Sequence, residues 1–114
     1  MTAFRIFLGL MLAVLVAYTA LVILNHGWNL LSIFFGDMAA MTWPGQFNLD
    51  FFGFLLLSGL WVSWRHQFSP AGLGLGLIAV FGGIGFLAPY LIYASLQAND
   101  DPKVLFLGPA RASR

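Results

Sequence analysis

The sequence contains no cysteine and no glutamate, and charged residues make up only 8% of its 114 positions. Without cysteine the chain can form no disulfide, no iron–sulfur cluster and no thiolate zinc site. The carboxylates are four aspartates, none of which lies in the middle of an apolar segment: Asp37, Asp50, Asp100 and Asp101. This distribution argues against an ion-coupled transporter, since such proteins usually relay protons or cations through an intramembrane acid. The net charge of +1 supplies no basic patch for nucleic acid.

Apolar residues dominate the rest of the chain: 61% of it is hydrophobic, and long uncharged segments cover 6–24, 51–64 and 71–96. Soluble globular domains carry about a quarter charged residues, so this composition indicates an integral membrane protein. We predict an all-α membrane protein with three transmembrane helices and a short interfacial helix between the first and the second. Residues 1–98 would form the three-helix transmembrane domain, and residues 99–114 a loose extramembrane tail.

The first uncharged segment, 6–24, is a membrane anchor by prediction and not a signal peptide. Its apolar run exceeds the roughly 7 to 15 residues of a signal h-region. The sequence at 25–27 is typical of a helix C-terminus, with Gly27 available as a left-handed cap. Between residues 28 and 41 a narrow polar strip on an otherwise apolar segment favours a helix that lies in the headgroup region.

The two following connections carry helix start signals. The Trp-Pro-Gly sequence at 43–45 predicts a turn, because the residue before proline avoids the α region. Asn48 would then cap the second crossing and place Asp50 in its first turn, beside the positive end of the helix dipole. Ser69 is a good N-cap and Pro70 suits the first helical position, so the third crossing is predicted to begin there.

The third uncharged segment, 71–96, is long enough to cross a bilayer with some tilt, and we predict that it is a transmembrane helix. A kink or local unwinding is expected near Gly85, because Pro89 cannot donate to its carbonyl. The six glycines of this segment would weaken a water-exposed helix, so close helix packing is the expected reason for them. A small-residue groove, continued on the other helices, supplies the predicted helix-packing residues: Gly72, Gly76, Ala79 and Gly83 on the third helix, Gly59 and Ser63 on the second, and Gly9 and Ala13 on the first.

Asp50, His26 and His66 are candidate contacts for a ligand or a partner. For Asp50 the favoured interpretation is a carboxylate that complements a helix N-terminus, and a substrate or partner contact is the alternative. Histidine is a common donor to metals, haem and pigments. The two histidines follow successive crossings, however, and would lie on opposite surfaces. We predict no metal site and no cofactor, and a single-histidine ligand to a haem or pigment stays open.

Tyr90 and Tyr93 complete the candidate residues, because they lie beside Pro89 on the third helix. The carbonyl freed by the proline is a natural partner for a hydroxyl from a neighbouring helix. This favours a structural role over a pigment or lipid pocket. The sequence offers no paired acids, no Ser–His–Asp arrangement and no metal constellation, so we predict that the protein is not an enzyme.

Three stretches of the chain carry a resemblance to a known family: 34–35, 48–50 and 85–93. In order and spacing they resemble an uncharacterised family of short bacterial three-helix membrane proteins, described as a domain of unknown function. The likeness covers roughly residues 5 to 97. The chain differs from that family at 88–90 and in its longer tail. The resemblance implies a three-helix membrane fold and no activity.

The orientation of the three predicted crossings does not follow from the basic residues. Two of them, Arg5 and Arg65, would lie on one side, and three on the other: Lys103, Arg111 and Arg114. Since the first helix more often sets the orientation, we expect the N-terminus and the loop after the second crossing to be cytoplasmic. The expected location is the inner membrane of a bacterium.

Two functions follow as hypotheses. The first is a small non-catalytic accessory or assembly subunit that docks on a larger membrane complex, because its glycine-rich helix faces exceed what three helices need for their own packing. The alternative is a homo-oligomeric small transporter or channel in which Asp50, Ser58 and Ser63 line a path. Both place the chain in a lipid bilayer, beside a membrane protein or a second copy, and neither involves nucleic acid.

Overall fold

The computed structural model describes residues 1–113, and this part of the chain is helical without any strand. The all-α prediction is therefore confirmed. Arg114, at the end of the predicted tail, lies outside the described residues. Within residues 1–113 there are seven helices: α1 (Thr2–His26), α2 (Leu30–Ala40), α3 (Trp43–Arg65), α4 (Pro70–Gly82), α5 (Ile84–Gln97), α6 (Pro102–Leu107) and α7 (Pro109–Ala112).

Two helices, α1 and α3, are long and apolar enough to cross a membrane. α1 has 25 residues and α3 has 23. At about 1.5 Å per residue both exceed the roughly 30 Å of a hydrocarbon core. α1 ends at His26, as predicted from the sequence. Gly27 follows with φ 80 and ψ −161, an extended conformation open to glycine, and so it is not the left-handed helical cap that we expected.

The start of α3 differs from its prediction. The helix begins at Trp43, and Pro44 occupies its first turn. Proline suits this position, because an N–H there would have no partner within the helix. The predicted turn at 43–45 and the predicted cap at Asn48 are therefore wrong. Asp50 lies well inside α3 and does not meet the positive end of the helix.

The predicted short helix between the two long ones is present as α2, which packs on the first part of α3. Asn48 donates its side-chain N–H to the carbonyl of Phe34 at 3.1 Å. The same amide lies 3.5 Å from a carboxylate oxygen of Asp37. Asn48 therefore joins two helices instead of starting one.

α4 packs along the second half of α3 through small residues. Gly76 is buried so closely against Gly59 that a Cβ on Gly76 would lie 2.6 Å from the Gly59 carbonyl oxygen. The Ser63 hydroxyl donates to the carbonyl of Gly72 at 3.3 Å. Ala79 is also fully buried on α4. The structure thus places this part of the predicted groove in a contact within the chain.

The predicted single crossing over 71–96 is not present, because the chain breaks at Gly83, two residues before the position where a kink or local unwinding was expected. There φ is 54 and ψ is −137, a conformation that side chains other than glycine rarely adopt. α4 therefore ends at Gly82, and α5 begins at Ile84. Pro89, the residue predicted to cause the kink, lies inside α5. A third helix long enough to cross a membrane is not present in residues 1–113.

α4 and α5 form a hairpin that turns back partway along the two long helices. α4 runs antiparallel to α3, from Gly72 beside His66 to Gly83 beside Leu55. α5 then returns along α1, and its last turn accepts hydrogen bonds from Arg5. The arms have 13 and 14 residues. Each is about 20 Å long, which is shorter than a hydrocarbon core.

The tail, expected to be loose, packs against the end of the molecule where the hairpin arms begin and end. Leu105 in α6 is 1% exposed and packs on Ala94 and Ala98, with Met1 and Phe4 at the edge of this small core. The apolar patch of the tail explains the difference, because its burial offsets the entropy lost by ordering the segment. The expectation of a loose tail is wrong over its described residues.

Basic side chains within residues 1–113 gather at this one end, which we call the basic end. It holds Arg5 and Arg65 from the long helices, and Lys103 and Arg111 from the tail. At the opposite end α1 stops and α3 starts, and Asp37 is the charged residue there. The predicted distribution of basic residues, two on one side and three on the other, does not describe this arrangement. The hairpin brings the tail back to the side of the N-terminus.

Candidate functional site

Polar and aromatic side chains surround Tyr90 at the basic end, where α5 meets α3. The Tyr90 hydroxyl accepts a hydrogen bond from Arg65 Nη1 at 3.1 Å and lies 2.7 Å from His66 Nε2. Phe86 stacks on the Tyr90 ring with a centroid distance of 5.5 Å, and Trp61 meets the ring edge-on at 6.2 Å. We call these five residues the Tyr90 cluster.

Helix periodicity and the hairpin together assemble this cluster. Trp61 and Arg65 are four residues apart and share one face of α3, and Phe86 and Tyr90 share one face of α5 in the same way. His66 follows directly as the residue that caps α3. The hairpin turns the Phe86–Tyr90 face toward the last turn of α3. A straight helix over 71–96 would have carried Tyr90 away from this end.

Arg65 carries a buried positive charge within the cluster. Only 7% of the residue is exposed. Its Nε donates to the carbonyl of Leu105 at 2.7 Å, and its guanidinium carbon lies 5.7 Å from the centroid of the Tyr90 ring. These partners are neutral, so they satisfy hydrogen bonds without compensating the charge.

The two carboxylates near the basic end, those of Asp100 and Asp101, contact groups other than Arg65. Asp100 forms a salt bridge with Arg5, the only one within residues 1–113. Asp101 caps α6 and accepts the backbone N–H of Lys103 at 3.0 Å. Arg65 therefore has no counter-ion in the described part of the chain, although a buried guanidinium is normally paired.

Burial lowers the pKa of His66 below its ordinary value of 6.5, and the positive charge of Arg65 lowers it further. The imidazole is then neutral near pH 7 and can accept a proton at Nε2. This assigns the hydrogen-bond directions from the network: Arg65 donates to the Tyr90 oxygen, and the Tyr90 O–H donates to His66 Nε2. A second proton on His66 would disrupt this chain of hydrogen bonds.

Acid should destabilise the wild-type protein more than the variant His66→Gln. The folded state binds the His66 proton more weakly than the unfolded state does, so the free energy of unfolding falls as the pH drops through about 6.5 toward the lower pKa of the folded protein. Thermal midpoints at about pH 7.5 and pH 5.5 in one mild detergent test this. The other histidine is present in both proteins, so equal decreases would contradict the proposed neutral His66.

The turn between α4 and α5, residues 82–85, is a second candidate site, which we call the hairpin tip. The backbone hydrogen bonds that join this turn to the two helices all involve Gly83. The Gly83 N–H donates to the Ala79 carbonyl at 3.1 Å, and the Gly83 carbonyl accepts the N–H groups of Phe86 and Leu87 at 3.2 and 2.9 Å. Other polar backbone groups at the two helix ends that meet here have no partner within their own helix and no hydrogen bond across the turn in residues 1–113: the carbonyls of Val80, Phe81 and Gly82, and the N–H groups of Ile84 and Gly85.

These unpaired groups border apolar clefts and are open to the surroundings. Gly82 and Gly85 are exposed, and Phe81 is 76% exposed. One cleft of about 580 Å³ separates α1 from α3 above the tip. A second, of about 410 Å³, is lined by Gly83 and Ser58 among others. The Ser58 hydroxyl is buried and has no hydrogen-bond partner in the described chain.

The other predicted site residues lie outside these two sites. His26 and Asp50 are exposed, and their side chains form no hydrogen bond with residues 1–113. Tyr93 is 61% exposed on α5. On α1, Ala13 is exposed, and a Cβ on Gly9 would meet no atom within 4 Å. This small-residue stripe therefore has no partner within the described chain.

The structure brings together two residues that the sequence had proposed separately, His66 and Tyr90. Sequence reasoning missed Arg65, the charged member of the cluster. Its signal was present, since an arginine directly after an uncharged helix and before a histidine concentrates positive charge at one helix end. Its partner Leu105 comes from the tail, 40 positions along the chain, so no local pattern could indicate the burial.

The two candidate sites provide few potential ligands for a metal ion or a haem. Within residues 1–113 no group of three or more histidine or aspartate side chains could hold a metal ion. His66 Nε2 already lies within hydrogen-bond distance of Tyr90, so an axial ligand role would require that bond to break. His26 is exposed and has no neighbouring side chain that would orient it, as second-shell partners of metal-bound histidines do.

Comparison of this chain with other proteins suggests no function for the residues of either site. Its fold, built from two long helices and a broken hairpin, differs from the three continuous helices that the resemblance implied. That resemblance to short bacterial membrane proteins stays a prediction. Comparisons of the chain with models of protein families, with curated proteins and with solved structures find no match.

Proposed function

We propose that this chain is a small non-catalytic accessory subunit of the membrane, and that it docks on a larger membrane protein through the hairpin tip. The observation that supports this most directly is the set of unpaired backbone groups at the tip. They belong to a segment whose neighbours on α3, Phe51 and Leu55, lie more than two turns from either helix end. If α3 crosses the bilayer, the tip lies near its middle.

Polar backbone groups at that depth need a partner. Each unpaired amide or carbonyl in hydrocarbon costs several kcal/mol, because lipid tails offer no hydrogen bond. Irregular backbone is tolerated inside a membrane only where protein covers it or where it lines a water-filled cavity. The clefts beside the tip are lined mostly by apolar side chains, with Ser58 and Thr19 as the polar ones, and this disfavours water. A protein partner at the tip satisfies this requirement.

The docking surface is thus different from the one that the sequence suggested. Gly59 and Gly76, two of the predicted packing residues, already contact each other within the chain. Their faces are not available to a partner. The stripe of Gly9, which is half-buried but unobstructed, and exposed Ala13 on α1 remains as a secondary contact, since small residues allow close approach of a helix in lipid.

The basic end supports a cytoplasmic N-terminus in this proposal. Arg5, Arg65, Lys103 and Arg111 lie at one end of the molecule, and positive residues flanking membrane helices concentrate on the cytoplasmic side. Two crossings by α1 and α3, with the α4–α5 hairpin entering from the same side, then place the tail in the cytoplasm as well. The bacterial inner membrane remains the proposed location.

The alternative function, a homo-oligomeric transporter or channel, is favoured by one observation. The Ser58 hydroxyl is buried without a partner and lines the same cleft as Gly83. Discontinuous helices of transporters often present unwound backbone and hydroxyl groups to a substrate near the bilayer midplane. In that case a second copy of this chain would cover the tip, and the enclosed space would carry the substrate.

The test of the docking surface uses two leucine substitutions at glycines with free space around them. Gly85→Leu should release the partner and keep the monomer folded, because a Cβ there meets no atom of the chain within 4 Å. Gly74→Leu is the matched control, since Gly74 on α4 is equally unobstructed and lies away from the tip. The measurement is the mass of the purified complex in mild detergent, compared with the 12.5 kDa of the single chain.

Three results separate the hypotheses. A stoichiometric second protein that is lost in Gly85→Leu and kept in Gly74→Leu supports the accessory subunit. A multiple of the chain mass that shows the same dependence supports the homo-oligomer. A wild-type protein that runs as a single chain in mild detergent, and that stays so after cross-linking in membranes, contradicts both.

A further inference from the structure

Arg65 has hydrogen-bonding capacity that the chain does not use. A guanidinium carries five N–H donors. Two of the donor nitrogens are engaged, Nε with the Leu105 carbonyl and Nη1 with the Tyr90 hydroxyl. Among residues 1–113 the only buried side-chain polar atom without a partner is the Ser58 hydroxyl. The free edge of the Arg65 guanidinium therefore reaches the surface of the molecule.

We infer that this free edge of Arg65, whose guanidinium is held in place by its hydrogen bond to the Tyr90 hydroxyl, binds the phosphate group of an anionic lipid. A guanidinium binds phosphate oxygens through two parallel hydrogen bonds, and such charge-assisted bonds are about twice as strong as neutral ones. The inference requires that the chain lies in a membrane. It does not require the docking partner proposed above, so each can fail without the other.

The need for an anion follows from the surroundings of Arg65. Its contacts with Leu105 and Tyr90 satisfy donors but leave the positive charge uncompensated at 7% exposure. Burying an unpaired charge is costly, and an anion beside it removes much of that cost. The aspartates of the basic end are held by Arg5 and by the start of α6, so the anion comes from outside the described chain.

The position of the cluster identifies the source of the phosphate. Trp61 donates its indole N–H to the carbonyl of Phe106 at 3.1 Å, and the Arg111 guanidinium stacks over Trp64 at 4.2 Å from the ring centroid. Tryptophans at a helix end are typical of the headgroup layer. Arg111 of α7 adds a second positive charge beside the last turn of α3, which carries Arg65. Basic pockets between membrane helices on the cytoplasmic side bind anionic headgroups.

Other basic residues of this end provide contrasts. Arg5 is paired with Asp100 and bonded to Ser95, so its charge is already compensated. Lys103 is exposed, and its side chain forms no hydrogen bond within residues 1–113. It contributes to the general positive potential but not to a defined pocket. Lys103→Gln therefore removes the same amount of charge as Arg65→Gln without touching the proposed site.

The first arm of the experiment uses the wild-type chain in mild detergent. Phosphatidylglycerol should raise the thermal midpoint by about 4 °C or more at saturation, and phosphatidylcholine should not, because only the former leaves the phosphate charge unbalanced. Inorganic phosphate is the third titrant. A response to inorganic phosphate as large as that to phosphatidylglycerol would overturn the lipid as the source of the group. Equal responses to the two lipids would overturn the site.

The second arm measures retained phosphatidylglycerol by native mass spectrometry. Arg65→Gln should lower retention about tenfold, and Lys103→Gln by much less, since only the first removes charge-assisted hydrogen bonds to phosphate. Tyr90→Phe keeps the charge and removes the hydroxyl that accepts a hydrogen bond from Arg65 Nη1, so the guanidinium is less well oriented and an intermediate loss is expected. If Arg65→Gln fails to fold, Tyr90→Phe decides. The inference would be overturned if Tyr90→Phe retained phosphatidylglycerol as well as the wild type does, and if the charge variants that fold, Arg65→Gln and Lys103→Gln, lost equal amounts of it.

Discussion

Replacing Gly76 with alanine should lower the free energy of unfolding by about 1–3 kcal/mol, the usual range for overpacking a close contact. The added Cβ would lie 2.6 Å from the Gly59 carbonyl oxygen and closer still to the Ser63 hydroxyl. A hydroxyl can rotate away, but a backbone carbonyl moves only with its helix. The strain must therefore push α3 and α4 apart along their whole contact. Chemical unfolding in a mild detergent, followed by circular dichroism, measures the loss.

Gly74→Ala, two residues away, should have the opposite sign. No atom lies within 4 Å of a Cβ at this position, so alanine adds no clash. It should stabilise the helix by up to about 1 kcal/mol, the difference between glycine and alanine in helix propensity. A comparable loss of stability in the two variants would show that the α3–α4 contact is not where the structure places it.

Single cysteines at Gln67 and Lys103 should be labelled from the same side of the membrane, and a cysteine at Met41 from the other. The chain has no native cysteine, so each variant carries one thiol. The expectation follows from the hairpin, because Arg65 beside Gln67 bonds to Leu105 near Lys103. Labelling of membrane vesicles with an impermeant thiol reagent, before and after permeabilisation, measures accessibility for each position.

The result separates two topologies that share one sequence. If α4 and α5 formed a single crossing, position 103 would be labelled together with position 41. Such labelling would remove the hairpin from the membrane-embedded protein and restore the three-crossing prediction. A cysteine at Thr2 is the internal control. It should be labelled from the same side as position 103 in the hairpin topology, since Phe4, two residues further along, packs with the core around Leu105.

Local sequence signals predicted the helix ends well where one residue type has a strong backbone preference. α1 stops before Gly27, and Ser69 caps α4 by accepting the Gly72 N–H at 3.1 Å, with Pro70 in the first turn. The same rules failed at Pro44, because proline fits both a turn and the first turn of a helix. The sequence does not distinguish these two placements without the packing of α2 on α3.

The hairpin was not predictable from hydrophobicity, which is the same for one long crossing and for two short arms. An uncharged run of 26 residues satisfies both. The discriminating residue is Gly83, whose combination of φ 54 and ψ −137 favours glycine, but the sequence does not distinguish it from the other five glycines of the segment. Pro89 misdirected the prediction, because α5 accommodates it with the loss of one hydrogen bond.

The candidate site was only partly predictable for a related reason. His66 and Tyr90 could be singled out as polar residues in an apolar chain. Their contact of 2.7 Å depends on the direction in which α5 runs, and the burial of Arg65 depends on the tail. Both are consequences of the hairpin. Because the break at Gly83 was not predicted, none of the contacts of the Tyr90 cluster could be predicted either.

The pairing of α1 with α5 also constrains how this protein is made. α2, α3 and α4 contact their neighbours in the chain, whereas α1 has α5 as its main partner, and Arg5 bonds to Ser95 across 90 positions. At roughly 5–20 residues per second, a ribosome needs roughly 4–14 s after completing α1 to complete α5. During that interval α1 lacks its main packing partner. Truncation before α5 would leave it permanently unpaired, and we expect membrane quality-control proteases to remove such fragments faster than the full chain.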